Sequence, residues 1–180
     1  MAGIFFRHRR FEDGIMAMKI LKEKNYDVNL SIVGDYNINK DYFKELVYLA
    51  KKSGMEDSVD FAGRVSDEKL LNFYQQSDIF LFPNHWQSWG LVVFEAMACG
   101  LPSIVSKTAG ASEVLTDGEN ALLVEPFKPE DIITAVAKLI DNPDLYVKIS
   151  RQGRELVEKS ISWPLMAQKV SAIFKETLKD

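Results

Sequence analysis

Short apolar runs alternate with longer stretches of helical period along most of this chain. The runs, at residues 2–6, 28–33, 59–62, 78–82, 102–105 and 121–124, are four to six residues long and mostly flanked by turn formers. That pattern predicts buried strands. Between them, apolar residues recur at three and four over 12–24, 41–53, 66–76 and 90–99, as Leu46, Leu49 and Ala50 do, which predicts helices. After Val124 the pattern is helical only. Pro129-Glu130-Asp131 opens a helix to about Ile140, Asp141-Asn142-Pro143 breaks it, and a second runs to about Ser160. Ser162-Trp163-Pro164 then opens a last helix towards Leu178. Strands alternating with helices imply right-handed crossovers and a parallel sheet covered on both faces. The expected fold is α/β: a Rossmann-like, doubly wound parallel sheet of about six strands with C-terminal helices. No linker or repeat divides residues 1–180, so one domain is expected.

Composition narrows the function classes. Lys plus Arg number 22 against 26 Asp plus Glu, a formal charge of −4, which argues against a nucleic-acid partner. One cysteine and two histidines are a poor metal inventory, so no metal is expected; His8 and His85 read as orienting or surface residues. No apolar run approaches the ~20 residues that span a bilayer. The opening apolar residues precede the arginines, the reverse of a signal peptide's order, and the chain is expected to be cytoplasmic.

In a doubly wound fold, ligands sit at the carboxyl ends of the strands, where helix N-termini offer unpaired N–H groups. After the first run come Arg7, Arg9 and Arg10; guanidinium groups suit a pyrophosphate, although some can pair with Glu12 and Asp13 instead. Gly34 and Gly63-Arg64 follow the next two runs, Arg64 being a further candidate for phosphate or base contact. Gly90 then opens a helix that is almost wholly apolar apart from Glu95, and Gly90 and Leu91 can present backbone N–H groups to a phosphate. A carboxylate on a core helix needs a partner, either a neighbouring backbone N–H or Arg, or the hydroxyls of a ligand such as a ribose diol. Gly110, Ala111 and Ser112 offer small side chains around a ligand; Glu113 reads equally as a ligand contact or as a helix-terminus acid. Phe61, Phe80, Phe82 and Phe94 read as core, and Cys99 as inert.

These motifs, in their order and spacing, resemble the C-terminal, nucleotide-sugar-binding domain of GT-B glycosyltransferases, the retaining group numbered family 4 above all. The resemblance rests on Ile32-Val33-Gly34-Asp35, Val59 to Gly63, Asp78 to Pro83, Gly90 to Pro102, Ala109 to Val114, Asp117 to Asn120 and Ser162-Trp163. It implies a nucleotide diphosphate sugar donor, GDP- or UDP-linked, and transfer of a hexose such as mannose to an acceptor hydroxyl, without a cofactor. It further implies that Glu95 binds the ribose and that Arg9 or Arg10 stands near the family's diphosphate-clamping Lys. The family's clamping Arg falls near Ile4, or on Arg7 with a gap. Gly90-Leu91 supplies N–H groups to phosphate, and Gly110 and Glu113 match a Gly-Gly-x-x-Glu loop begun here with Ala109. Where the family carries its first donor-site Glu this chain has Gln87, which keeps a carbonyl acceptor but loses a charge.

The resemblance also implies an N-terminal acceptor-binding domain, or a partner chain, in addition to these residues, with the full enzyme peripheral to a membrane. The isolated domain is then expected to bind donor better than it transfers sugar. A non-catalytic nucleotide-sugar-binding subunit, or half of a split transferase, is the alternative. Receiver and dinucleotide-binding readings are disfavoured, because the first run is followed by arginines rather than clustered acids or Gly-x-Gly-x-x-Gly.

Overall fold

The computed structural model describes residues 1–86 and 89–177. Among these residues, five strands form two parallel sheets. In the first, β1 (Leu30–Val33) pairs with β2 (Val59–Gly63), Leu30 opposite Val59; in the second, β4 (Ser103–Ser106) lies between β3 (Phe80–Phe82) and β5 (Leu122–Val124). Seven α-helices among the described residues accompany them: α1 (Phe11–Glu23), α2 (Lys40–Lys52), α3 (Asp67–Gln76), α4 (Leu91–Ala98), α5 (Pro129–Asp141), α6 (Pro143–Ser160) and α7 (Trp163–Thr177). The α/β architecture with C-terminal helices is as the sequence predicts, and the predicted end of the last helix at Leu178 lies outside the described residues.

The run at 2–6 is not a full strand. Ala2 makes a single parallel bridge to Val33, and Phe5 N–H reaches the Asp35 carbonyl at 3.4 Å; from Phe6 on the bonds are local, Phe6 N–H donating to the Ile4 carbonyl and Arg9 N–H to that of Phe6. Ala2 and Phe5 turn inward, Phe5 against Phe11, Tyr36, Phe43 and Phe61, while Ile4 and Phe6 stay exposed. A short 3₁₀ turn, Arg7–Arg9, then leads into α1.

Alternation along the strands divides the core into two layers. Leu81, Ile104, Leu122 and Val124 face one layer, with α1, α2 and α5. Phe80, Phe82, Val105 and Ala121 face the other, with Tyr74 of α3, the apolar side of α4 and part of α6. α7 has no buried residue: Trp163, Met166, Val170, Ile173 and Phe174 are all exposed.

Tyr42 joins α2 to the start of α1. Its buried hydroxyl accepts from Phe11 N–H at 3.2 Å and donates to Glu12, and burial, aided by that carboxylate, holds the phenol well above its usual pKa. Tyr42→Phe leaves a buried N–H unpaired and should cost about 1–3 kcal/mol. Urea denaturation should show the midpoint lowered with the slope unchanged.

Candidate functional site

Because the strands are parallel, their carboxyl ends share one edge, and the loops leaving them are linked there. His85 N–H, after β3, donates to the His8 carbonyl at 2.7 Å, and Thr108 Oγ1, after β4, donates to the Asn84 carbonyl at 3.4 Å.

The three arginines, adjacent in sequence, separate in space. Arg7 is an exposed surface residue whose Nη2 meets Glu45 of α2 at 2.5 Å. Arg10 takes the left-handed conformation (φ 54°) at the entrance to α1 and is held there by Asp13 (Nε at 2.9 Å, Nη2 at 2.6 Å) and Glu12 (Nη1 at 2.7 Å). Its guanidinium lies 4.4 Å from the Phe127 ring. Arg9 has no carboxylate partner among the described residues. Its guanidinium is 5.8 Å from the Phe82 ring and lies so close to Gly3 that a Cβ there would come within 2.8 Å of Cζ. With the Asn84 amide oriented to satisfy both its ends, Oδ1 accepts from Arg9 Nη1 at 3.0 Å and Nδ2 donates to the Arg9 carbonyl at 3.3 Å. Arg9 Nε is buried without an acceptor, and burial lowers the pKa, though a guanidinium stays charged.

Phe82 also sets the start of α4. Gly90 caps that helix in the left-handed region (φ 86°), and a Cβ there would meet the Phe82 ring at 2.8 Å, so no other residue fits without displacing the ring. Among the described residues no side chain caps α4; Val93 N–H donates to the Gly90 carbonyl at 2.9 Å, and the N–H groups of Leu91 and Val92 are left for an outside acceptor. Arg9 and Gly90 therefore border the same aromatic ring from two different loops.

Glu95 corrects the expectation of a carboxylate sunk in the core. α4 buries Val93, Phe94, Ala96 and Met97 but exposes Leu91, Glu95 and Ala98, spaced as one helical face. The partner of Glu95 is neither a backbone N–H nor an Arg: Tyr74 of α3 donates its hydroxyl to Oε2 at 2.9 Å.

The remaining candidates are more dispersed. Gly34, at the end of β1, packs on the Gly3 carbonyl, where a Cβ would come within 1.8 Å of the oxygen. Arg64 follows β2 and is exposed, without an ion pair among the described residues. Gly110 begins a 3₁₀ turn, Gly110–Val114, with Ala111 buried beneath it and Glu113 exposed. Gln87 lies outside the described residues. Asn84, Tyr74 and Phe127 are not among the candidates that the sequence offers. A buried Asn just after a strand-ending Pro is a signal that a polar site lies there; nothing in sequence connects residue 74 to residue 95. No group of three metal-ligating side chains occurs among the described residues, and none of their helices is long and apolar enough to cross a membrane.

Residues 1–156 match the family model described as glycosyl transferases group 1. Over 163 residues, 88% of this chain, the sequence is 29% identical to the mannosylfructose-phosphate synthase of Agrobacterium fabrum, but it covers only 36% of that protein. Among solved structures, the C-terminal domain of a glycosyl transferase group 1 family protein (LpcC) from Francisella tularensis superimposes with a TM-score of 0.81 at 27% identity, over 90% of this chain and 86% of that one. The Anabaena protein Alr3699/HepE, in complex with UDP, shares the fold with a TM-score of 0.87 at 21% identity, over 97% of this chain and 47% of its own. The chain thus spans less than half the length of the Agrobacterium and Anabaena proteins, and its fold is that of a GT-B C-terminal domain. By its matched sequence and its fold, the chain belongs to the glycosyl transferases group 1 family.

Proposed function

We propose that these residues form the donor-binding half of a retaining glycosyltransferase, holding a nucleotide diphosphate sugar while a hexose passes to an acceptor hydroxyl. The observation that carries this reading is Arg9, a partly desolvated cation with an unpaired Nε and no carboxylate partner among the described residues. Keeping such a group out of water is costly unless an anion meets it. The uncapped start of α4 is a second anion-seeking feature, and both border Phe82. A diphosphate between them accounts for both.

In this reading the bond from the anomeric carbon to the diphosphate oxygen breaks, a bond from that carbon to the acceptor oxygen forms, and the acceptor's proton leaves with the diphosphate. The negative charge that develops meanwhile falls on oxygens already facing Arg9 and the Gly90-Leu91 N–H groups. Stabilisation that needs no reorganisation is the efficient form of electrostatic catalysis. Glu95 sits on the exposed face of α4 four residues beyond Leu91, about 6 Å along the axis, and receives the ribose hydroxyls. Gly110 and Glu113 line the sugar, and Gln87 contacts one of its hydroxyls. Arg7 and Arg10, already neutralised by carboxylates, serve the fold around the site. No metal or cofactor enters.

UDP is the first donor base to test, because a neighbour of the same fold was solved with UDP; mannose is suggested by the relative named for mannosylfructose phosphate. The acceptor-binding half completes the enzyme, in the cytoplasm or at a membrane surface, and the exposed apolar face of α7 is where this reading puts it. Gln87 in place of the family's Glu favours a second reading, a subunit that binds donor without transferring it.

Calorimetric titration with UDP, GDP and their sugars tests the proposal. One nucleotide diphosphate should bind, and Glu95→Ala should weaken it at least tenfold, the loss expected when hydrogen bonds to a charged group go. Failure of every nucleotide to bind defeats the reading.

A further inference from the structure

Glu95 is exposed, and a free glutamate side chain loses considerable rotamer freedom when it binds. Here one of its oxygens is already engaged. We propose that Tyr74 is a positioning residue for Glu95, orienting the carboxylate so that its second oxygen meets the ribose hydroxyls; this rests on the donor-site reading above.

The anchor is rigid. Tyr74 is 5% exposed and packs edge-on against Phe80 of β3, with ring centroids 5.8 Å apart and planes at 73°. Its hydroxyl reaches Glu95 Oε2 at 2.9 Å, linking α3 to α4 across the same apolar layer. Burial first, and then the charge of Glu95, raise the phenol's pKa, so the hydroxyl stays protonated and acts as a constant donor. Oε1 has no hydrogen-bond partner among the described residues. A carboxylate fixed by one oxygen and open at the other is pre-organised to accept from a diol, and pre-organisation lowers the ordering cost of binding.

Tyr74→Phe removes one oxygen and leaves the packing in place. The measurement is the affinity ratio of UDP to 2′-deoxy-UDP, and of GDP to 2′-deoxy-GDP, with inorganic pyrophosphate as the probe for the phosphate subsite. Tyr74→Phe should reduce the preference for the ribonucleotide about three- to tenfold, the range of one hydrogen bond, and leave pyrophosphate affinity unchanged. In a Glu95→Ala background the same substitution should have no further effect on the ratio, since two residues acting through one contact are not additive. A purely structural role would instead weaken pyrophosphate as much as nucleotide, or persist without Glu95. A wild-type ratio in Tyr74→Phe overturns the positioning role alone. A wild-type ratio in Glu95→Ala, or no nucleotide binding by the wild-type chain, overturns the donor-site reading and the positioning role together.

Discussion

Arg9→Ala should weaken nucleoside diphosphate binding about a hundredfold, because it removes charge-assisted hydrogen bonds to phosphate worth roughly 1.5–3 kcal/mol each. The free protein should not become less stable in proportion. Arg9 Nε is buried without an acceptor, so the side chain costs free energy in the empty site that alanine does not. A melting temperature held or raised beside a lost affinity is the mark of a group retained for ligand rather than for folding. Arg9→Lys should recover only part of the affinity, since an ammonium restores charge without the fork that engages two oxygens. Arg7→Ala is the contrast. Glu45 already neutralises that exposed cation, and its loss should change affinity by less than about threefold. Calorimetry on the three variants decides the matter: equal losses at Arg7 and Arg9 would mean that a diffuse basic patch, and not a single half-buried guanidinium, holds the phosphates.

The largest structural effect is expected at Gly34. A Cβ there would lie 1.8 Å from the Gly3 carbonyl oxygen and 2.7 Å from its carbon. Neither backbone can retreat freely, because Gly3 N–H donates to Val33 at 2.8 Å and Gly34 N–H to Gly63 at 3.0 Å. Gly34→Ala should therefore cost about 3–4 kcal/mol, at or above the usual range for overpacking. In a chain of this size that lowers the melting temperature by about 10 °C. Gly118→Ala is the control: its φ is 72°, but a Cβ there meets nothing within 4 Å, so only the left-handed conformation is penalised, by about 1–2 kcal/mol. Equal melting shifts for the two would refute the close approach. Since Arg9 rests on Gly3, nucleotide affinity should fall with the displaced backbone in Gly34→Ala and stay at the wild-type value in Gly118→Ala.

The strands were legible because buried parallel strands read as short apolar runs, and five of the six runs pair as such. The run at 2–6 has the same composition, but Ile4 and Phe6 face out and its pairing with β1 is limited to a single bridge before the chain turns at Phe6, which no single-residue pattern reveals. Which arginine is left for a ligand was not legible either. The partner that neutralises Arg7 lies 38 residues away on α2, a pairing set by tertiary structure. Glu95 was read as buried because α4 is apolar nearly all round, yet the helix gives Leu91 and Ala98 to solvent along with it. The Tyr74 contact spans 21 residues and two helices, and it too exists only once the layers have packed.

The loops of the carboxyl edge are linked largely through main-chain atoms: His85 N–H to the His8 carbonyl, Gly34 N–H to that of Gly63, and the Asn84 carbonyl to Thr108. A frame fastened in this way does not depend on the identity of the side chains it displays. Exposed Trp86 and Glu113 can be exchanged without unfastening it. Such an edge is well suited to diversification, in a lineage or in a laboratory library, because new ligand preferences need only new side chains on an unchanged scaffold.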